Sequence, residues 1–215
     1  MSLLLGHRGL SSKHLENSLE AFRAALAVGM DGFELDVQPS RDGVCMVLHD
    51  ETLDRTTTGT GALRQLSVSG LPPLRNGEAL PRLVDALELP ARLINVELKG
   101  EPGWKQALAA VEAAEAVDRV LFSSFEHSEV LQLWAECPEA RCGFLWEGGE
   151  AMDLTADELA DLPPSLWLHV PLRALKDRPQ FWAPHADRIA AWGMKSASEV
   201  KALPFEPAVV IADGI

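Results

Sequence analysis

Eight short apolar runs recur along this chain, starting near Leu3, Gly32, Arg92, Arg119, Arg141, Leu166, Arg188 and Ala208, with helix-like stretches between most of them. Strands that alternate with helices pair in parallel, because the return to the same sheet needs a crossover long enough to hold a helix. Eight such units close on themselves. The pattern therefore predicts one α/β domain over residues 1–215, a (β/α)₈ TIM barrel. At 215 residues the barrel is small, so several outer helices must be short or missing. A doubly wound open sheet is the competing arrangement. It is disfavoured because Gly6-His7-Arg8-Gly9, after the first run, has bulky residues where a dinucleotide needs close backbone approach.

Residues 17–28 carry Leu19, Phe22, Ala25 and Leu26 at helical spacing, and Gly29 ends them. Helices are also expected over 83–89, 104–116, 126–135, 155–162 and 196–203, with Thr155 and Ser196 as caps. A weak helix over 178–185 is interrupted by Pro179 and Pro184. Residues 50–81, rich in Thr, Gly and Pro, read as a long irregular excursion, a feature usually functional or mobile in compact domains. Trp104, Trp146, Trp167 and Trp182 are expected in the core or at its rim.

Two apolar runs, 32–37 and 44–48, flank Pro39-Ser40-Arg41-Asp42-Gly43, so this stretch reads as a β-hairpin arm added after the second strand. With the turn centred between Arg41 and Asp42, Asp36 pairs with Val47 and Glu34 with His49. Alternation then sets Glu34, Asp36 and His49 on one face. The wet side of a surface hairpin would carry the same residues. The barrel weighs against that reading, because active sites gather at the carboxyl ends of its strands. His7, Arg8, Glu34, Asp36, Glu97 and Lys99 all fall at such ends, and the hairpin carries in His49.

Three carboxylates, Glu34, Asp36 and Glu97, suit Mg²⁺ or Ca²⁺ rather than zinc, since hard cations take oxygen ligands; Mn²⁺ stays open. Arg8 offers a planar fork and Lys99 a point charge for phosphate oxygens. Two histidines beside such groups suit a proton taken on one side and given on the other. Together these point to phosphodiester cleavage. Taken singly, His7 reads equally as a packed or solvent-facing histidine, Arg8 and Lys99 as surface charges, and Glu97 as the partner of Lys99.

The formal net charge of −13 and pI near 4.8 argue against a nucleic-acid surface, which needs clustered Lys and Arg. The three cysteines, Cys45, Cys137 and Cys142, have no CxxC spacing, so neither a disulfide framework nor a structural zinc site is expected. The opening Met1-Ser2-Leu3-Leu4-Leu5-Gly6 is too short for a signal peptide, and no run reaches membrane-spanning length. These features predict a cytoplasmic protein acting on a small molecule, with no membrane insertion and no signal for an oligomeric state.

The pieces Gly6-His7-Arg8-Gly9, Glu16-Asn17-Ser18 with Ala21-Phe22, Glu34-Leu35-Asp36, Val47-Leu48-His49-Asp50 with Leu53-Asp54-Arg55-Thr56-Thr57, and Val96-Glu97-Leu98-Lys99 resemble the glycerophosphodiester phosphodiesterase family in order and spacing. The resemblance is dense over 5–61 and at Glu97, and continues more weakly to Asp213. It implies a (β/α)₈ barrel, a divalent metal, and hydrolysis of glycerophosphocholine or glycerophosphoethanolamine to glycerol 3-phosphate and an alcohol. By position it makes Glu34, Asp36 and Glu97 metal ligands, His7 and His49 general base and acid, and Arg8 and Lys99 phosphate contacts. Asn17 would orient the site through hydrogen bonds. Three segments depart from the family pattern. Ser18 replaces a threonine, Trp192-Gly193-Met194-Lys195 stands for Trp-Thr-Val-Asn, and Ala212-Asp213-Gly214-Ile215 for Thr-Asp-x-Pro. The last two bear on substrate identity more than on chemistry. The competing functions are a related barrel phosphodiesterase that forms a cyclic phosphate and a catalytically silent barrel that binds a phosphorylated ligand.

Overall fold

A strand covered by helices outside and by side chains inside is buried along its whole length, so strands of a parallel barrel read as continuous apolar runs. The computed structural model describes residues 1–100 and 103–214. Its strands are β1 (Leu3–Gly6), β2 (Gly32–Pro39), β3 (Cys45–Val47), β4 (Leu93–Leu98), β5 (Val120–Ser124), β6 (Arg141–Leu145), β7 (Trp167–Pro171), β8 (Ile189–Met194) and β9 (Val209–Ala212). β1 pairs in parallel with β2 on one side and with β9 on the other, which closes eight parallel strands into a ring. The fold is a TIM barrel, and β3 lies antiparallel on β2 as the extra arm.

The outer helices are short, as the chain length requires. The first, Leu19–Ala27, is capped by Ser18, whose hydroxyl accepts from the Ala21 N–H, and it buries Ala21, Phe22 and Ala25 against β2. Phe22 stacks on Phe33 with ring centroids 4.3 Å apart. The helix Ala156–Ala160 has the expected Thr155 cap and Glu158 closing the capping box. Among the described residues no helix is long and apolar enough to cross a membrane.

Four local expectations need correction. The hairpin pairs Val37 with Val47, Gln38 with Met46 and Pro39 with Cys45, one residue out of the expected register. The cause is the turn: Gly43 takes φ 77°, its N–H bonds to Ser40 O, and the Ser40 N–H bonds to Val44 O, so three residues rather than two form the loop. Neither Glu34 with His49 nor Asp36 with Val47 is a ladder pair, and His49 sits in a bend beyond β3. Second, the strand expected over 119–122 runs on through Ser123 and Ser124 as β5. Third, helices Gly148–Asp153 and Leu172–Asp177 form where none was expected, because six residues carry too little periodicity to register. Fourth, Pro179 starts the helix Pro179–Trp182 instead of breaking one, since a proline at the first position has no N–H to waste.

Residues 50–81 are less irregular inside than their composition implies. Leu53, Leu63, Leu74 and Leu80 pack with Met46 and Leu48 of the arm into a small apolar cluster of their own. This anchors the segment that follows His49. Trp104, Trp146 and Trp182 are buried, and Trp167 is half-buried at the base of the barrel interior.

Inside the ring, Leu5, Leu93, Leu121, Ala190, Val209 and Ile211 fill the lower part. Above them lies a polar layer: His169 Nε2 meets Asn95 Oδ1 at 2.7 Å, and Asn95 Nδ2 donates to Ser123 Oγ at 2.9 Å. Complete burial pushes the His169 imidazole down to about 3, so it is neutral and donates from Nε2. Gly143 makes room for this ring, because a Cβ there would lie 2.6 Å from His169 Cε1 and Nδ1. Gly143→Ala should therefore lower unfolding stability in urea by about 1–3 kcal/mol, the usual cost of overpacking, and leave the slope of the transition unchanged.

Candidate active site

The site is built from the carboxyl end of β1 outward. The His7 N–H bonds to Ala212 O of β9 at 2.8 Å, and the Gly9 N–H returns to Gly6 O at 3.1 Å. Gly9 is fixed twice over, by φ 83° and by a position where a Cβ would lie 2.6 Å from the Ala21 backbone. Arg8 and Asn17 are both left-handed at φ 55°, an uncommon conformation for side chains of their size. The surrounding bonds hold them there. The Arg8 N–H donates to Glu34 Oε2 at 2.8 Å, and the Asn17 N–H donates to Arg8 O at 3.1 Å. Asn17 Nδ2 then donates to Asp36 Oδ2 at 2.8 Å, and its Oδ1 receives the Asp36 N–H at 3.3 Å.

Glu34, Asp36 and Glu97 all point inward from β2 and β4, where Asp36 lies beside Glu97 in the parallel register. One oxygen from each lies within 4.8 Å of the others, and all three residues are buried. Burial, then the neighbouring Asp36, pushes the Glu34 carboxyl up to about 8. The same two causes, in that order, push Glu97 up to about 7. Glu34 Oε1 accepts no hydrogen bond, and Asp36 Oδ1 and Glu97 Oε1 have only the Lys99 ammonium beside them among the described residues. Burial and mutual repulsion thus disfavour three ionised carboxylates here, and a cation among them would restore the charged forms. The all-oxygen donor set, with one oxygen of each acid within 4.8 Å of the others, fits a hard divalent ion.

The two expected phosphate contacts are both engaged with acids. Arg8 Nη1 lies 2.8 Å from Glu16 Oε1, and its Nε lies 3.2 Å from Asp36 Oδ2. Lys99 Nζ touches Glu97 and lies 3.5 Å from Asp36 Oδ1. Burial lowers the Lys99 ammonium, but Glu97 and Asp36 outweigh it and the group is raised, hence charged.

Each histidine is backed by a carboxylate. His7 Nδ1 meets Asp213 Oδ1 at 2.7 Å, and His49 Nδ1 meets Asp50 Oδ1 at 2.8 Å. A carboxylate only accepts, so each Nδ1 carries its proton and Nε2 is left for chemistry. Burial lowers the His7 imidazole, while the Asp213 bond and the Glu34 charge more than offset it. Both histidines line one cavity of about 210 Å³ together with Arg8, Glu34, Glu97 and Lys99. Phe125 and Trp192 supply an apolar wall, their rings edge to face at 6.2 Å.

All eight residues singled out from the sequence thus converge. Asp50, Glu16 and the aromatic wall were given no role from the sequence, and Asp213, read there as part of a segment bearing on substrate identity, instead holds the ring of His7. The adjacency of Asp50 to His49 was a local signal, whereas 206 residues separate Asp213 from His7 and nothing local links them.

Comparison with known proteins gives a consistent result. The model of the glycerophosphoryl diester phosphodiesterase family matches residues 7–194. A glycerophosphodiester phosphodiesterase of Caldanaerobacter subterraneus is 34% identical over 165 residues, covering 69% of this chain and 68% of that one. The crystal structure of glycerophosphodiester phosphodiesterase from Thermotoga maritima superimposes with a TM-score of 0.79 at 29% identity, over 99% of this chain and 95% of that one. An Oleispira antarctica phosphodiesterase solved with the product sn-glycerol-3-phosphate shares the fold at a TM-score of 0.84 and 23% identity, over 99% of this chain and 93% of that one. With a barrel, a buried carboxylate cluster and two carboxylate-backed histidines in one cavity, the chain belongs to the glycerophosphoryl diester phosphodiesterase family and is an enzyme of that family.

Proposed function

We propose that the enzyme hydrolyses glycerophosphodiesters such as glycerophosphocholine and glycerophosphoethanolamine to glycerol 3-phosphate and the free alcohol, with a divalent cation held by Glu34, Asp36 and Glu97. The observation that carries this reading is the convergence of three buried carboxylates, with unsatisfied oxygens, beside two histidines each bonded through Nδ1 to a carboxylate. The product complex of the Oleispira antarctica relative supports a small-molecule glycerol phosphate in such a pocket.

Bound at the three carboxylates, Mg²⁺ or Ca²⁺ would supply positive charge to the phosphoryl oxygens during displacement. Arg8 and Lys99, which line the cavity, meet the same oxygens, which orients the diester and offsets the acidic field of the chain. His7 Nε2 takes a proton from the attacking water as its oxygen bonds to phosphorus. Asp213, on the opposite ring nitrogen, stabilises the imidazolium that forms. His49 acts in its imidazolium form: with Nδ1–H kept on Asp50, it gives its Nε2 proton to the departing alkoxide as the phosphorus–oxygen bond breaks, so one water is consumed and one alcohol released. Asn17 holds Asp36 in place from two directions.

The direct test is release of glycerol 3-phosphate from both diesters, measured with each divalent ion and with chelator. Release that chelator abolishes is expected; full release in excess chelator would remove the cation, and no release with any ion would remove the substrate class. His7→Ala and His49→Ala should each lower kcat by about 10²-fold or more, the usual contribution of a positioned acid or base, and a near-parental rate in either would exclude that residue. A third expectation needs no turnover. Millimolar Mg²⁺ or Ca²⁺ should raise the thermal midpoint of the parent enzyme by binding only the folded state, and should do so far less in Asp36→Asn.

A further inference from the structure

Arg55 takes no part in the cavity wall and reaches none of the three carboxylates that would hold the cation, yet its guanidinium holds two acids at once. Its Nε and Nη2 lie 2.7 and 2.9 Å from the two oxygens of Asp50, and its Nη1 and Nη2 lie 2.7 and 2.8 Å from those of Glu16. Both contacts are therefore two-pronged, a geometry that a planar fork can give and an ammonium cannot. Asp50 is the carboxylate on His49 Nδ1, and Glu16 is the carboxylate on Arg8. A single side chain thus joins the histidine on the hairpin arm to the arginine at the end of β1.

We propose that Arg55 is a positioning residue that sets the proton donor and the phosphate contact relative to one another. The inference rests on the proposed function, in which His49 donates the proton to the leaving alkoxide. Asp50 belongs to the chain just after the arm, and Glu16 to the loop after β1; no ladder bond connects these two segments directly. His49 lies beyond the end of the β3 ladder, so its orientation depends on what Asp50 does. Arg55 fixes Asp50 by two bonds and keeps it ionised, since its hydrogen bonds hold that carboxyl well below the usual carboxylate range. On the other side, Arg55 shares Glu16 with Arg8. Without Arg55, the whole charge of Glu16 falls to Arg8 and draws it from the phosphate. The 47% exposure of the Arg55 side chain argues against a mere packing role.

The two arms make separable predictions. A mis-set His49 harms only a leaving group that needs a proton, whereas a mis-set Arg8 harms binding of any diester. The experiment compares glycerophosphoethanolamine with the p-nitrophenyl ester of glycerol 3-phosphate, whose phenolate departs unprotonated. Arg55→Met is expected to lower kcat on the ethanolamine diester about tenfold or more, to leave kcat on the nitrophenyl ester close to parental, and to raise KM on both. Arg55→Lys, which keeps the charge and loses the fork, should recover part of the loss. His49→Ala is run alongside on the same two substrates. If His49→Ala loses activity equally on both, His49 is not the proton donor and the underlying reading falls. If His49→Ala is selective while Arg55→Met is not, or Arg55→Met leaves both kcat and KM unchanged, the role of Arg55 alone is overturned. Thermal unfolding checks that each variant is folded. Should the Met variant not fold, Arg55→Gln takes its place on the same two substrates, and the same results support or overturn the role.

Discussion

Three carboxylates buried within 4.8 Å of one another are the constraint from which the top of this barrel follows. Like charges withdrawn from water repel strongly and lose their hydration, so such a cluster persists only where other groups compensate it. Each compensating group here pulls a separate piece of chain into place. The Arg8 amide fixes the turn after β1 against Glu34, Asn17 fixes the start of the first helix against Asp36, and Lys99 ties the end of β4 to Asp36 of β2. Arg8 and Asn17 adopt left-handed backbone conformations to make these contacts. Strain of that kind is kept where the surrounding bonds over-determine the geometry, and here they satisfy the acids that carry the chemistry.

The second dependence is on closure of the ring. β9 pairs with β1 along four residues, and that pairing delivers Asp213 to the Nδ1 of His7. The last strand thus completes a histidine that belongs to the first, and an open sheet of the same elements would leave it without its carboxylate. His49 acquires its carboxylate locally, from the next residue. The two histidines acquire equivalent carboxylate contacts on Nδ1 by opposite routes, one through tertiary closure and one through chain adjacency.

Segment 50–81 links these two regions. Its own apolar cluster lets it hold a fixed shape beside the barrel, which an excursion of that composition would not do if it were only solvated loop. That fixed shape is what allows a half-exposed arginine such as Arg55 to reach acids from two different elements with short, two-pronged contacts. The polar layer of His169, Asn95 and Ser123 beneath the cavity plays a comparable part inside the ring, holding together β4, β5 and β7 where apolar packing gives out.

The order of strands and helices was legible in the chain because burial on both faces demands long apolar runs and each crossover demands a helix. The residue types of the site were legible as well, since carboxylates, histidines, an arginine and a lysine stood at strand ends where a barrel exposes its interior. Short-range geometry was less so. The three-residue turn at Gly43 moved the hairpin by one register, so His49 reaches the cavity from a bend and not across a ladder from Glu34. The helix Leu172–Asp177 is too short for its periodicity to stand out. What only the tertiary structure decided are the pairings between distant residues: Asp213 with His7, Glu16 with both Arg8 and Arg55, and His169 with Asn95. Sequence spacing constrains partners within one helix or one strand, whereas these contacts are made by ring closure and by the packing of loops on it, and the chain between the partners carries no periodicity that could announce them.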